Sequence, residues 1–119
     1  MTVKIFQVDP SSDQEFGFET ETIARAGGEL VVGSATTEEE VLEQAGDAEI
    51  FWVSWLPLMT RRVMEQLPNA RLVMRWGVGY DQIPVKDATD LGIAVANAPA
   101  YGIDDVAAHA IALLVSTAR

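Results

Sequence analysis

Short apolar runs separated by mixed segments make up most of the chain. Val3-Lys4-Ile5-Phe6-Gln7-Val8 is the first run, and Asp9-Pro10 ends it as a strand leaving into a loop. Leu30-Val31-Val32, after Gly27-Gly28, predicts a second strand, with a short and weakly helical segment from Thr20 to Ala26 between the two. Thr37-Glu38-Glu39-Glu40 precedes Val41-Leu42 and has the form of a capping box: the Thr37 hydroxyl and the Glu40 carboxylate can serve the free amides of a first helical turn. A helix is expected from there to about Ala45. Ile50-Phe51-Trp52-Val53 is apolar throughout, as a strand covered by helices on both faces requires. Thr60 to Leu67 reads as a helix with Val63, Met64 and Leu67 on its apolar side, stopped by Pro68. Leu72 to Arg75 and Ile93 to Ala96 are the last two strands, and a short helix from Val85 to Leu91, closed by Gly92, lies between them. Asp104 to Ala118 forms a final helix with Val106, Ala110, Leu113 and Leu114 on one face.

Strands alternating with helices in this way predict an α/β domain, a doubly wound parallel sheet of flavodoxin-like order 2-1-3-4-5. Ligands of such sheets sit beyond the carboxyl ends of the strands. Here those ends are Asp9-Pro10, Ser54-Trp55, Arg75-Trp76-Gly77-Val78-Gly79 and Asn97-Ala98-Pro99, which should converge on one rim.

Composition narrows the picture. A chain of 119 residues suits a single domain with an ordinary core. It has no cysteine, which removes disulfides, thiolate metal sites and a cysteine nucleophile, and fits a cytoplasmic protein. The longest apolar stretch, Ala107 to Val115, contains His109 and is far too short to span a bilayer, and the N-terminus lacks the apolar block of a signal peptide. A soluble, unprocessed protein with no membrane partner is expected. The net charge of -10 argues against nucleic acid. Residues 1 to 49 hold twelve acids against Lys4 and Arg25, whereas residues 50 to 119 hold six acids against six bases. An anionic ligand is therefore tolerated only by the second part, and the acidic part reads as a solvated surface.

The rim offers few chemistries. RWGVGYD, residues 75 to 81, resembles half of a phosphate-binding turn, but a dinucleotide fingerprint needs a third glycine where Gln82 stands, and Pro84 follows in place of a long helix. A phosphoacceptor receiver domain needs a carboxylate after the third strand and a lysine after the fifth. Ser54-Trp55 and Ala98-Pro99 stand there instead. His109 is the only histidine, so no histidine pair can bind a metal, and its place among alanines suggests close helix packing. Trp52 reads as core, whereas Trp55 and Trp76, following strand ends, could wall a pocket. What remains is anion recognition by main chain: Gly77-Val78-Gly79 can present consecutive N–H groups, and Arg75 adds a planar fork suited to a carboxylate. From spacing alone, a plain turn with Arg75 paired to Asp81 accounts for the segment equally well.

The stretch from Leu72 to Arg119 tips that balance. The GVGYDQI turn, the segment DLGIAVANAPA and the helix DDVAAHAIALL match, in order and spacing, the N-terminal domain of the NAD-dependent D-isomer-specific 2-hydroxyacid dehydrogenases, which the chain closely resembles. Residues 40 to 71 match more loosely, and residues 1 to 39 by pattern only. The resemblance is to the phosphoglycerate dehydrogenase and C-terminal-binding-protein branches. It implies a split, flavodoxin-like substrate-binding domain over residues 1 to 103, with 104 to 119 as a crossover helix toward an NAD-binding Rossmann domain beyond this stretch.

The resemblance also implies roles. The amides of Val78 and Gly79, beside Gly77, would hold the carboxylate of a small 2-hydroxy or 2-oxo acid, with Arg75 contributing. The loop Ser54-Trp55-Leu56-Pro57 would face the substrate's side chain, and Ser54 and Trp55 at positions where phosphoglycerate-type members often carry an arginine favour an uncharged or aromatic substituent. NAD would exchange hydride with the substrate C2 in the complete enzyme. The glycine fingerprint and the catalytic arginine, glutamate and histidine lie downstream of Arg119 in the family, so no catalytic, cofactor-binding or metal residue is assigned within the chain, and His109 is given no proton-transfer role. The expected function is thus the substrate-binding portion of such a dehydrogenase, inactive alone. The alternative is a non-catalytic interaction module of the same fold. A homodimer formed through the 104 to 119 helix is expected in either case, because that helix should expose apolar surface.

Overall fold

The computed structural model describes residues 2–10 and 14–118. Five parallel strands form one sheet: β1 (Val3–Gln7), β2 (Gly28–Val32), β3 (Ile50–Val53), β4 (Leu72–Arg75) and β5 (Ala94–Ala96), in the order β2-β1-β3-β4-β5. The expected topology is therefore the observed one. Five helices intervene or follow: α1 (Gly17–Arg25), α2 (Glu38–Ala45), α3 (Arg61–Met64), α4 (Val85–Asp90) and α5 (Ile103–Thr117).

Register decides which side chains share a face. Phe6 stands opposite Phe51, and Phe51 opposite Val73, so this row points to one side of the sheet. There it packs with Val41 and Ala45 of α2, Val63 and Met64 of α3 and Ala88 of α4 into the main core, all of them buried. Phe6 and Phe51 meet edge to face with centroids 6.3 Å apart. The alternate row, Ile5, Ile50 and Leu72, points to the other side, where α1 covers it only in part. An apolar groove of about 280 Å³ remains between this row and Phe18, Thr22 and Ile23 of α1.

Local chemistry sets the helix limits. The capping box is present as the sequence predicts: the Thr37 hydroxyl accepts from the Glu40 amide at 3.2 Å, and the Glu40 carboxylate accepts from the Thr37 amide at 3.3 Å. It also takes the Thr36 amide at 2.7 Å and the Thr36 hydroxyl at 2.8 Å. These Thr36 bonds hold the Glu40 carboxyl below its usual range. Two helices differ from expectation. α1 begins at Gly17 rather than Thr20, which adds Phe18 to its sheet side. α3 ends at Met64, because Gln66 and Leu67 donate back three residues, to Val63 and Met64, tightening the chain ahead of Pro68.

α5 departs from the rest. Every one of its residues is exposed, including the apolar Val106, Ile111, Leu113, Leu114 and Val115. The expected exposure of one side of this helix thus extends to its whole circumference, and the molecule is drawn out to 59 Å against 32 and 24 Å in the other directions. No helix among the described residues is long and apolar enough to cross a membrane.

Candidate functional site

The expected convergence of strand ends is realised by hydrogen bonds between them. Beyond β4 the ladder runs one residue further, with the Trp76 amide donating to the Val53 carbonyl at 2.9 Å. The chain then folds sharply at Gly77, whose φ is +141° and whose amide donates back to the Arg75 carbonyl. Ala98 donates to the Gly77 carbonyl and the Asn97 side-chain amide donates to the Val78 carbonyl at 2.8 Å, so the β5 end holds the carbonyl side of this bend. The amides of Val78 and Gly79 donate to no acceptor among the described residues. The two glycines do different work. A Cβ on Gly77 would lie 3.0 Å from Arg75 Nη1 on a backbone that L side chains rarely adopt. Gly79 has no positive φ, and a Cβ there would meet only Asp81 Oδ2, at 3.8 Å.

Arg75 lies beneath the bend and is only 9% exposed. Its Nη1 donates to the Trp76 carbonyl, while its Nε is buried with no partner among the described residues. The pairing with Asp81 that a plain turn would use is not formed, and among the described residues no carboxylate pairs with Arg75. Every other described cation has an acid: Lys4 has Asp47, Arg25 Glu21, Arg61 Glu65, Arg62 Glu38, Arg71 Glu49 and Lys86 Asp90. A buried guanidinium without counter-charge is costly unless an anion completes it. Val78 and Gly79 add two main-chain donors at the same bend with no acceptor among the described residues, a donor set of the kind a carboxylate can accept from.

The β3 loop is held from below by a residue that sequence reasoning left as a strand end. Asp9, 5% exposed, accepts the Ser54 amide on Oδ1 at 2.7 Å and the Trp55 and Leu56 amides on Oδ2 at 2.6 Å each. Ser54 is turned inward as well: it is buried, and its hydroxyl accepts from Gln7 Nε2 at 2.8 Å. The loop therefore shows Trp55 and Leu56 to solvent. Trp55, 67% exposed, has its ring 5.7 Å from the Arg75 guanidinium carbon. The signals that could have found this support are Gln7, polar inside an apolar strand, and the acid at the strand end.

The tryptophans divide. Trp52 is buried as expected, and Trp76 stacks on it with ring centroids 4.8 Å apart. Both also meet Phe16, at 6.1 and 6.0 Å. Trp76 thus belongs to an aromatic cluster on the half-covered side of the sheet, and only Trp55 of the two candidates stands over Arg75 as a wall.

Other chemistries find no seat. α4 starts at Val85, eight residues past Gly77, and has six residues, so no helix N-terminus follows the glycine turn closely enough to take a pyrophosphate. The glycine turn thus does not fit a nicotinamide dinucleotide. No cluster of three potential metal ligands occurs among them, and His109 is exposed on α5.

Comparison with known proteins bears on what this rim is for. Residues 7–118 match the family model described as D-isomer specific 2-hydroxyacid dehydrogenase, catalytic domain. A hydroxypyruvate reductase of Blautia hydrogenotrophica is 44% identical over 82 residues, which is 69% of this chain and 25% of the relative. A D-3-phosphoglycerate dehydrogenase of Methanocaldococcus jannaschii is 35% identical over 117 residues, 98% of this chain and 21% of the relative. The chain thus spans about a quarter or less of the length of these curated relatives. Among solved structures, a glyoxylate/hydroxypyruvate reductase of Sinorhizobium meliloti in complex with NADP and malonate superposes with a TM-score of 0.73 at 25% identity, covering 98% of this chain and 34% of that one. A formate dehydrogenase of Staphylococcus aureus in complex with NAD superposes with a TM-score of 0.71 at 25% identity, covering 94% of this chain and 37% of that one.

Proposed function

Because the chain belongs to the D-isomer-specific 2-hydroxyacid dehydrogenase family, we propose that its rim is the substrate-positioning half of an NAD-dependent oxidoreductase site, holding the carboxylate of a small 2-hydroxy or 2-oxo acid. The observation that carries this reading is Arg75, a buried guanidinium with no acid partner among the described residues, at the same bend as the unused amides of Val78 and Gly79. A carboxylate seated there receives two main-chain N–H groups and a charged donor. The substrate is thereby oriented before any chemistry. Gly77 makes the bend possible, and Trp55 and Leu56, rather than the inward-turned Ser54, bound the substituent side.

Redox chemistry is supplied by the nicotinamide cofactor of the family. It finds no seat in residues 2–10 and 14–118, so a polypeptide of these 119 residues should bind the acid without turning it over. Residues 1 to 103 act as the substrate-binding unit and 104 to 119 as the helix that leads away from it. The lack of cysteine supports a cytoplasmic location, and the net charge of -10 speaks against nucleic acid.

The test is a titration of the isotopically labelled 119-residue chain with pyruvate and glyoxylate, followed by the amide resonances of Val78 and Gly79. Saturable shifts at those two amides are expected. Shifts elsewhere only, or measurable oxidation of D-lactate with added NAD, would overturn the reading.

A second reading, an assembly module, has its own observation in α5, whose apolar residues are all exposed. The helix is the surface through which two copies of this chain would pair as a homodimer.

A further inference from the structure

A second anionic group on the substrate needs donors of its own, and the natural place for them is the β3 loop beside Arg75. That loop does carry three successive amides, at Ser54, Trp55 and Leu56, the kind of main-chain nest that binds phosphate. All three are already taken by the buried carboxylate of Asp9, at 2.6 to 2.7 Å. Cations do not substitute for them, since every described lysine and arginine other than Arg75 is paired with an acid elsewhere on the surface. The hollow of about 560 Å³ against the loop is lined by Asp9 itself together with Trp55, Leu56 and Val32 and the neutral Gln14, Ser34 and Thr36, with no lysine or arginine. An incoming phosphate would therefore meet a carboxylate, spent amides and, among the described residues, no cation to balance its charge. What the loop presents is the flat, exposed indole of Trp55 over Arg75, with Leu56 beside it.

We propose that Asp9 is a positioning residue that closes this nest and holds Trp55 and Leu56 as a specificity wall, so that the site selects acids with one negative charge and an apolar, preferably aromatic, substituent over acids carrying a second anionic group. The inference rests on the carboxylate site argued above, and deepens it from a family-wide substrate class to a subclass. Asp9 touches no reacting atom. Its effect passes through the loop, whose main chain it fixes with three charge-assisted bonds.

The labelled 119-residue chain is titrated with phenylpyruvate and with phosphonopyruvate, reading the Val78 and Gly79 amides together with the Trp55 indole N–H. Phenylpyruvate should bind about tenfold more tightly or better, since an unpaired second charge goes uncompensated at the wall, and it alone should shift the Trp55 indole. Asp9→Ala frees the nest. In that variant the Trp55 resonance should move before any ligand is added, and the preference for phenylpyruvate should fall by about tenfold as phosphonopyruvate gains the amides. Asp9→Asn keeps the volume but sets an amide N–H against the loop, and should move the Trp55 resonance in the same way. Equal or tighter binding of phosphonopyruvate by the unaltered chain overturns the proposal while leaving the carboxylate site standing. Failure of both acids to shift Val78 and Gly79 overturns the carboxylate site itself. Should Asp9→Ala not fold by circular dichroism, the comparison of the two acids on the unaltered chain still decides.

Discussion

Arg75 sits with its guanidinium carbon 5.7 Å from the centre of the Trp55 ring, and no carboxylate among the described residues pairs with its charge. Its Nη1 donates to the Trp76 carbonyl, while its buried Nε has no partner among the described residues. The contact with Trp55 also couples two strand ends, because Trp55 follows β3 and Arg75 closes β4.

Arg75→Met should separate binding from stability. Removing a buried, unpaired charge relieves a desolvation cost, so the melting temperature of the variant should be no lower than that of the unaltered chain, while affinity for pyruvate falls by about tenfold or more. Arg75→Lys should keep the charge yet lose most of the affinity, since a point charge does not reproduce the planar fork. Calorimetry and amide titration check both, and a clear drop in melting temperature for Arg75→Met would mark Arg75 as structural.

The two glycines of the bend should respond differently to alanine. Gly77→Ala forces a side chain onto a backbone at φ +141° and against Arg75 Nη1, and should cost about 1–3 kcal/mol in urea unfolding. Gly79→Ala has room and no positive φ, so stability should stay within about 0.5 kcal/mol while carboxylate binding weakens through crowding of the amide. Equal losses of folding and binding at Gly79 would return the loop to a purely structural role.

The start of α2 carries a pH signature. Thr36 and Thr37 bonds depress the Glu40 carboxyl, so the stabilisation they supply is complete above the ordinary glutamate pKa near 4.3 and is lost as pH falls through the depressed value. Glu40→Gln should accordingly narrow the gap in melting temperature between pH 7 and pH 3. Thr37→Ala should cost about 1 kcal/mol at pH 7 by removing the cap. An unchanged gap for Glu40→Gln would place the acid sensitivity elsewhere.

α5 gives a prediction about assembly. At concentrations near 100 μM, on the order used for sedimentation, the 119-residue chain should associate, and replacing Val106, Leu113 and Leu114 by glutamine should return it to a monomer. A strictly monomeric unaltered chain would remove the pairing role from this helix.

Much of this protein was written locally. Apolar runs of three to six residues, the Thr37 to Glu40 cap and the Asp-Pro and Gly punctuation determined the strands, most of the helices and, through alternation, the parallel 2-1-3-4-5 sheet, because period, capping and turn chemistry act over a few residues. The bend at residues 75 to 81 was legible too, though not its meaning, since spacing allowed a plain turn with Arg75 on Asp81. Tertiary structure removed the Asp81 pairing by burying Arg75 under Gly77 with no acid partner among the described residues. It also turned Ser54 inward onto Gln7, sent Trp76 into the cluster with Trp52 and Phe16, and left Trp55 over the guanidinium. Asp9 on the amides of residues 54 to 56 spans more than forty positions of sequence, and no local rule reports a bond of that kind. Side-chain direction at a strand end depends on which neighbouring strand lies alongside and in what register, and that is settled only when the sheet has formed.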